Sequence, residues 1–243
     1  MNENWNQTTK AMKIRTLIAG SFALLMAAAL PLEAAGPNVI YNSAPGTNQS
    51  KIWIEGSANV IHPVWYVKGD MIAGLIEVGP GFPAEPGQAV TPGKVDVQAT
   101  NVFIRVRNLK SVEKDGRLYS DHMDNVMYDH FKVDKFPLIT YHLTDLTLKE
   151  APKSKDAPYV FDSKGQLAIG GITNTISMPV NILPLEGKKL KITGSPRIKM
   201  SDYKVGPVEL AVAGVGIKSG DEVKLDFEWT VRQRALPRAA ASK

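Results

Sequence analysis

The chain has 243 residues, 44% apolar and 22% charged, an ordinary globular composition that excludes a collagen-like or wholly disordered protein. It has no cysteine, which excludes a disulfide framework, a thiol nucleophile, a Cys-ligated zinc, an iron–sulfur cluster and an S-acyl anchor. The formal charge of +5 sits at the ends: +1 over residues 1–34 and +4 over 232–243 (Arg232, Arg234, Arg238, Lys243), so the body is neutral and lacks the basic face of a nucleic-acid binder.

The first expected element is a secretory signal peptide over residues 1–35. Lys13-Ile14-Arg15 is a short basic start, Leu17–Leu30 an apolar centre, and Ala34-Ala35-Gly36 a small-residue exit. Met12 reads as the working start, because the extension before it is polar. As a helix the centre would span only about 21 Å, short of the roughly 30 Å of hydrocarbon that a permanent anchor needs. Residues 36–50, rich in Gly, Pro, Asn and Ser and uncharged, read as a linker.

Strands are expected at 51–61, 64–77, 94–107, 138–148, 159–170, 174–185, 189–200 and 222–232. The last is the plainest: Val223, Leu225, Phe227, Trp229 and Val231 alternate with Lys224, Asp226, Glu228, Thr230 and Arg232, one dry face and one wet. Ser219-Gly220-Asp221 before it reads as a turn. In 94–107 the alternation slips by one residue near Asn101, which predicts a bulge. Residues 79–93, with four prolines and four glycines, predict a long loop, and 150–158 a second. One helix interrupts the series: Met123, Val126, Met127, His130 and Phe131 share a helical face, with Asp121 and Asp124 as its acidic start. Residues 233–243 read as a basic, disordered tail. Eight one-sided antiparallel strands fit a closed up-and-down barrel or a sandwich, and a barrel of that size holds one small or slender ligand.

Chemistry-bearing motifs are sparse. Gly79-Pro80-Gly81-Phe82-Pro83-Ala84 has dinucleotide-fingerprint spacing, but Pro83 and Pro86 follow where a helix must start, so the match is chance. Gly214-Val215-Gly216 fails likewise, because a strand follows. His122 and His130 stand eight residues apart, two helical turns, too far to share one ion easily. His62 sits at a strand break and His142 on a wet parity. No metal site, cofactor or catalytic set is assigned. Trp53, Trp65, Phe103, Tyr141, Phe227 and Trp229 are as readily core as pocket lining.

Four blocks then appear in order. Met123 leads to Phe136-Pro137-Leu138-Ile139-Thr140-Tyr141. Gly165-Gln166-Leu167-Ala168-Ile169-Gly170-Gly171-Ile172-Thr173 follows. Next come Lys199-Met200-Ser201-Asp202-Tyr203 with Gly206-Pro207, and finally Gly220-Asp221-Glu222-Val223. Together they resemble the YceI-like, lipocalin-like, polyisoprenoid-binding family over about 51–232, on a divergent branch. Val60-Ile61-His62-Pro63-Val64-Trp65 departs from that branch's Val-His-Asp-Trp, and the Pro-rich insertion at 79–93 departs too, at places where a barrel mouth would be shaped.

The resemblance implies an all-β, eight-stranded antiparallel up-and-down (lipocalin-like) barrel with one short α-helix, periplasmic or secreted. It implies a non-enzymatic lipid-binding carrier whose tunnel takes an amphipathic isoprenoid of the quinone or polyprenyl phosphate type. Candidates to line the tunnel are Ile54, Phe103, Met127, Phe131, Tyr141, Ile169, Met178, Phe227 and Trp229. Partners are then an isoprenoid-type lipid and, weakly through the basic tail, an anionic membrane surface, with no nucleic acid; the oligomeric state stays open, a dimer included. Two alternatives remain: an exported enzyme using His62, His122 or His130 as acid/base, and an envelope stress or structural protein with a filled core.

Overall fold

The computed structural model describes residues 38–44, 49–59, 63–212 and 215–234. The expected leader, His62 and the tail beyond residue 234 lie outside the described residues.

Over the described residues the fold is all-β with one α-helix. In chain order the first strands are β1 (Val39–Ser43), β2 (Ser50–Ala58), β3 (Val64–Gly69), β4 (Ala73–Val78), β5 (Gly93–Lys94), β6 (Val97–Arg105) and β7 (Lys110–Val112). The helix α1 (Asp121–His130) comes next. Then come β8 (Leu138–Glu150), β9 (Tyr159–Ile169), β10 (Ile172–Leu185), β11 (Lys189–Gly194), β12 (Arg197–Lys199), β13 (Glu209–Val212) and β14 (Val215–Gln233). The strands pair antiparallel along β1-β4-β6-β8-β9-β10-β11-β14, and β14 returns to β1, so the path closes. β2, β3 and β7 continue from the other stretch of β14.

Among the described residues fourteen strands stand where eight unbroken ones are expected, and the reasons are local. The expected 64–77 strand is broken at Asp70–Ile72 into β3 and β4. A 3₁₀ turn at Val106–Asn108 separates β6 from β7. Ser195-Pro196 interrupts β11 and β12, since proline cannot donate to the ladder. The 36–50 segment is not a plain linker: β1 pairs with β4 on one edge and β14 on the other, and Tyr41 is buried. Its Val39-Ile40-Tyr41 supplies the apolar residues that the surrounding Gly/Pro/Asn composition hides. Ser219-Gly220-Asp221 is not a turn but lies inside β14, which runs on to pair with β13. The irregularity it causes is a register shift against β2 between Ser219 and Val223. Asp221 there accepts from the Ser201 N–H at 2.7 Å and the Ser201 hydroxyl at 2.6 Å. The ordered chain also reaches past 232, because the Arg234 N–H donates to the Ile40 carbonyl at 2.7 Å.

The slip near Asn101 is a bulge. Asn101 has φ +53°, and the β4–β6 register shifts between Ala73 and Leu75. Gly74 opposite makes this close approach possible: a Cβ there would fall 2.8 Å from Val102 Cα and 2.9 Å from the Asn101 carbonyl oxygen.

Along the axis the two ends differ. α1 sits where β8 begins, and the Pro-rich loop 79–93 sits where β8 ends, with Gly93 opposite Leu148. At that second end Tyr41, Val78, Leu148, Tyr159, Phe161, Leu190 and Val231 are almost fully buried, and the loop adds Phe82 and Pro83. Phe82 stacks on Phe161 with centroids 6.0 Å apart, and the Tyr159 hydroxyl donates to the Gln88 carbonyl at 2.6 Å. The loop therefore plugs the floor rather than shaping a mouth.

α1 starts at Asp121 with Asp121 and Asp124 in its first turn, and Ser120 before it is the cap: its hydroxyl accepts from the Met123 N–H at 3.4 Å. The helix is fastened by a polar stripe. Asp124 is buried, accepting from the Ser111 N–H at 2.6 Å and pairing with the Lys110 ammonium at 2.9 Å. Tyr128 donates to the Leu109 carbonyl at 2.8 Å. Burial pushes the Asp124 carboxyl up, but the Ser111 N–H and Lys110 together hold it below its ordinary value. A carboxyl lowered on folding stabilises fully above its unfolded pKa of about 3.9 and loses that contribution as pH falls through the folded value. Asp124→Asn should cost about 1–3 kcal/mol at pH 7 and flatten the acid limb of the stability–pH curve. Urea melts of both proteins at several pH values between neutral and strongly acidic check this; parallel curves would contradict it.

Candidate functional site: an enclosed apolar cavity

The dry faces of the strands do not meet in a filled core. They enclose a cavity of about 720 Å³, within the roughly 300–1,000 Å³ range of small-molecule sites. All nine expected lining residues are on its wall: Ile54 on β2, Phe103 on β6, Met127 and Phe131 at α1, Tyr141 on β8, Ile169 on β9, Met178 on β10, and Phe227 and Trp229 on β14. Trp65 joins them, while Trp53 does not; it packs against Tyr66 with ring centroids 5.3 Å apart.

The whole apolar stripe of α1 (Met123, Val126, Met127, His130, Phe131) faces the cavity. The stripe buried against β7 is the polar one, Asp124 and Tyr128. Helical periodicity finds the apolar face but not what it covers, because a cavity wall and a packed core need the same residues.

The cavity reaches solvent at the α1 end. Val64, Lys114 and Tyr119 are exposed wall residues and all belong to that end, and Leu118 beside them is 67% exposed. The acidic and basic side chains of the described wall are gathered there too: Glu113, Lys114 and His130. At the opposite end the wall runs into the buried Phe82 and Leu190.

Polar groups inside are few, and two are stranded. The hydroxyls of Tyr141 and Tyr203 are buried without a hydrogen-bond partner among the described residues. Tyr141 lies across Gly165, where a Cβ would fall 2.5 Å from its phenol oxygen; glycine is what lets the ring lie flat on β9. Ser163, next on the same face of β9, is buried and donates to the Met178 carbonyl at 2.8 Å. Burial raises the Tyr141 phenol above its ordinary value and the neighbouring Ser163 hydroxyl lowers it, although the two fall short of hydrogen-bond geometry. Sequence reasoning names Tyr141 as a wall residue but misses Ser163, which becomes its neighbour only through the β8–β9 register.

Among the described residues the histidines do not converge. His122 on α1 and His142 on β8 are exposed, and His130 lines the cavity without a resolved carboxylate partner. Among the described residues, no group of three or more His, Asp or Glu side chains is placed to hold a metal ion, and no helix is long and apolar enough to cross a membrane.

A protein-family model described as the YceI-like domain matches residues 67–231. Among solved structures, the crystal structure of Burkholderia cenocepacia BcnA aligns with a TM-score of 0.50 at 19% identity, over 74% of this chain and 95% of that one. The structure of a polyisoprenoid binding domain from Saccharophagus degradans, implicated in plant cell wall breakdown, aligns with a TM-score of 0.52 at 14% identity, over 80% of this chain and 98% of that one. At such identities the likeness is one of fold. No curated protein matches the chain.

Proposed function

The chain belongs to the YceI-like domain family, and on that premise we propose that it is an exported, non-enzymatic carrier whose closed strand path is a lipocalin-like barrel holding one amphipathic isoprenoid. The observation that carries this reading is the cavity: about 720 Å³, walled by aliphatic and aromatic side chains, stoppered at one end and open at the other. A polyprenyl chain suits such a space because it is slender and wholly apolar along its length. Each five-carbon unit taken from water contributes up to about 4 kcal/mol at roughly 0.8 kcal/mol per carbon, so a few units outweigh the entropy of immobilising the chain. The Saccharophagus domain of similar fold is a polyisoprenoid binder, which supports the same ligand class here.

Binding rather than catalysis is favoured by the wall itself. His130 is its one histidine among the described residues, its one carboxylate is Glu113 at the open end, and the buried carboxylate of α1, Asp124, is committed to Lys110 and Ser111. The leader expected at 1–35 supports export, with the periplasm or the exterior as destination. The basic residues Arg232, Arg234, Arg238 and Lys243 add a weak attraction to anionic membrane, about 1 kcal/mol per charge near the surface.

Trp65 and Trp229, both on the wall, report occupancy. Titration with isoprenoid quinones and with polyprenyl phosphates should change tryptophan fluorescence saturably at one ligand per chain for at least one head class. Affinity should rise with tail length until the cavity is full. A response that does not saturate, or is indifferent to tail length, contradicts the proposal.

A further inference from the structure

The Tyr141 hydroxyl is a buried donor facing apolar walls, and its position along the axis is informative. Tyr141 pairs with Leu167, yet its ring leans over Gly165, toward the plugged end. Ser163 lies one step further in, paired with Leu146 and Met178, and beyond it stands the fully buried Phe161. The polar spot is therefore at the floor of the cavity, not at its mouth. Among the described residues the charged wall side chains are all at the mouth, and none on the floor neutralises an anion. A phosphate carried to the floor would be desolvated without a partner, whereas an uncharged oxygen acceptor would satisfy a donor that is otherwise orphaned.

We infer that the ligand enters head first and that an uncharged, carbonyl-bearing head accepts a hydrogen bond from Tyr141 on the cavity floor beside Ser163, with the isoprenoid tail lying toward α1. The inference rests on the carrier reading above and narrows it: a neutral quinone-type head fits, a phosphate head does not. Burial keeps the phenol protonated and thus a donor at neutral pH.

The test uses the whole chain and three probes of equal tail length: an isoprenoid benzoquinone, a prenyl diphosphate and the plain isoprenoid hydrocarbon. Wild type should bind the quinone about 3–10-fold more tightly than the hydrocarbon, the worth of one hydrogen bond, and the diphosphate most weakly. Tyr141→Phe should bring the quinone down to the hydrocarbon's affinity and leave the hydrocarbon unchanged. Its melting temperature should be unchanged or raised, because an unsatisfied buried hydroxyl has gone. Ser163→Ala should lose less, and Tyr203→Phe, at the α1 end, should keep the quinone preference. Equal affinities indifferent to Tyr141→Phe, a diphosphate that binds as tightly as the quinone, or a loss confined to Tyr203→Phe would each overturn the inference while leaving the carrier reading standing. Failure of all three probes would overturn the carrier reading itself, and the inference with it.

Discussion

Met178→Trp should weaken isoprenoid binding by a hundredfold or more while leaving the protein as stable as wild type, or more so. Met178 lies on β10 with its side chain on the cavity wall, next to the Ser163 position of β9. Tryptophan adds about six non-hydrogen atoms to that wall, close to the bulk of one five-carbon unit. Excluding one such unit removes up to about 4 kcal/mol of apolar transfer energy, and each 1.4 kcal/mol is tenfold in affinity. The same substitution in a packed core would force strained rotamers and cost about 1–3 kcal/mol. Affinity and stability therefore move apart if the space is a ligand cavity and fall together if it is filled. Isothermal titration with thermal melts separates the two; a variant that is destabilised yet binds normally contradicts the cavity reading.

Phe161→Ala should be the most damaging single truncation, costing about 3–5 kcal/mol. Phe161 is fully buried, and it is the ring against which the Pro-rich loop docks through Phe82, almost parallel at 9°. Its removal empties the floor layer and takes away the ring on which Phe82 stacks, leaving the loop tied by the Tyr159–Gln88 hydrogen bond, the buried Pro83 and the Gly93–Leu148 pairing. Urea denaturation should show the midpoint shift, and limited proteolysis should show new cleavage within 79–93. A loss below about 1 kcal/mol would mean that the loop is not a plug.

The strand faces were legible because the alternation is strict. In β14 the residues from Val223 to Val231 announce a wall and a wet side without help from the fold. The Asn101 bulge was legible for the same reason, as a one-residue slip in that alternation. β1 was not legible, because only Val39, Ile40 and Tyr41 carry it and its stability comes from partners 33 to 192 residues away. The apolar stripe of α1 was legible as a face, and Met127 and Phe131 on it do line the cavity, but the fastening was not legible, since Asp124 and Tyr128 on the adjoining stripe find their partners only through β7 and the turn before it. The function of 79–93 was misplaced because proline and glycine mark a loop without saying which end it covers. The floor of the site was hidden most deeply. Tyr141, Ser163 and Gly165 are ordinary residues of two strands, and only the β8–β9 register brings the orphan hydroxyl over the glycine and beside the serine.

The most direct measurement is organic extraction of the protein, purified without detergent from cells that make isoprenoid lipids, followed by mass spectrometry of the extract. The cavity account predicts about one isoprenoid with an uncharged head per chain from wild type, and its loss from Met178→Trp. An extract with no isoprenoid, or with the same membrane phospholipids in wild type and variant alike, would contradict it.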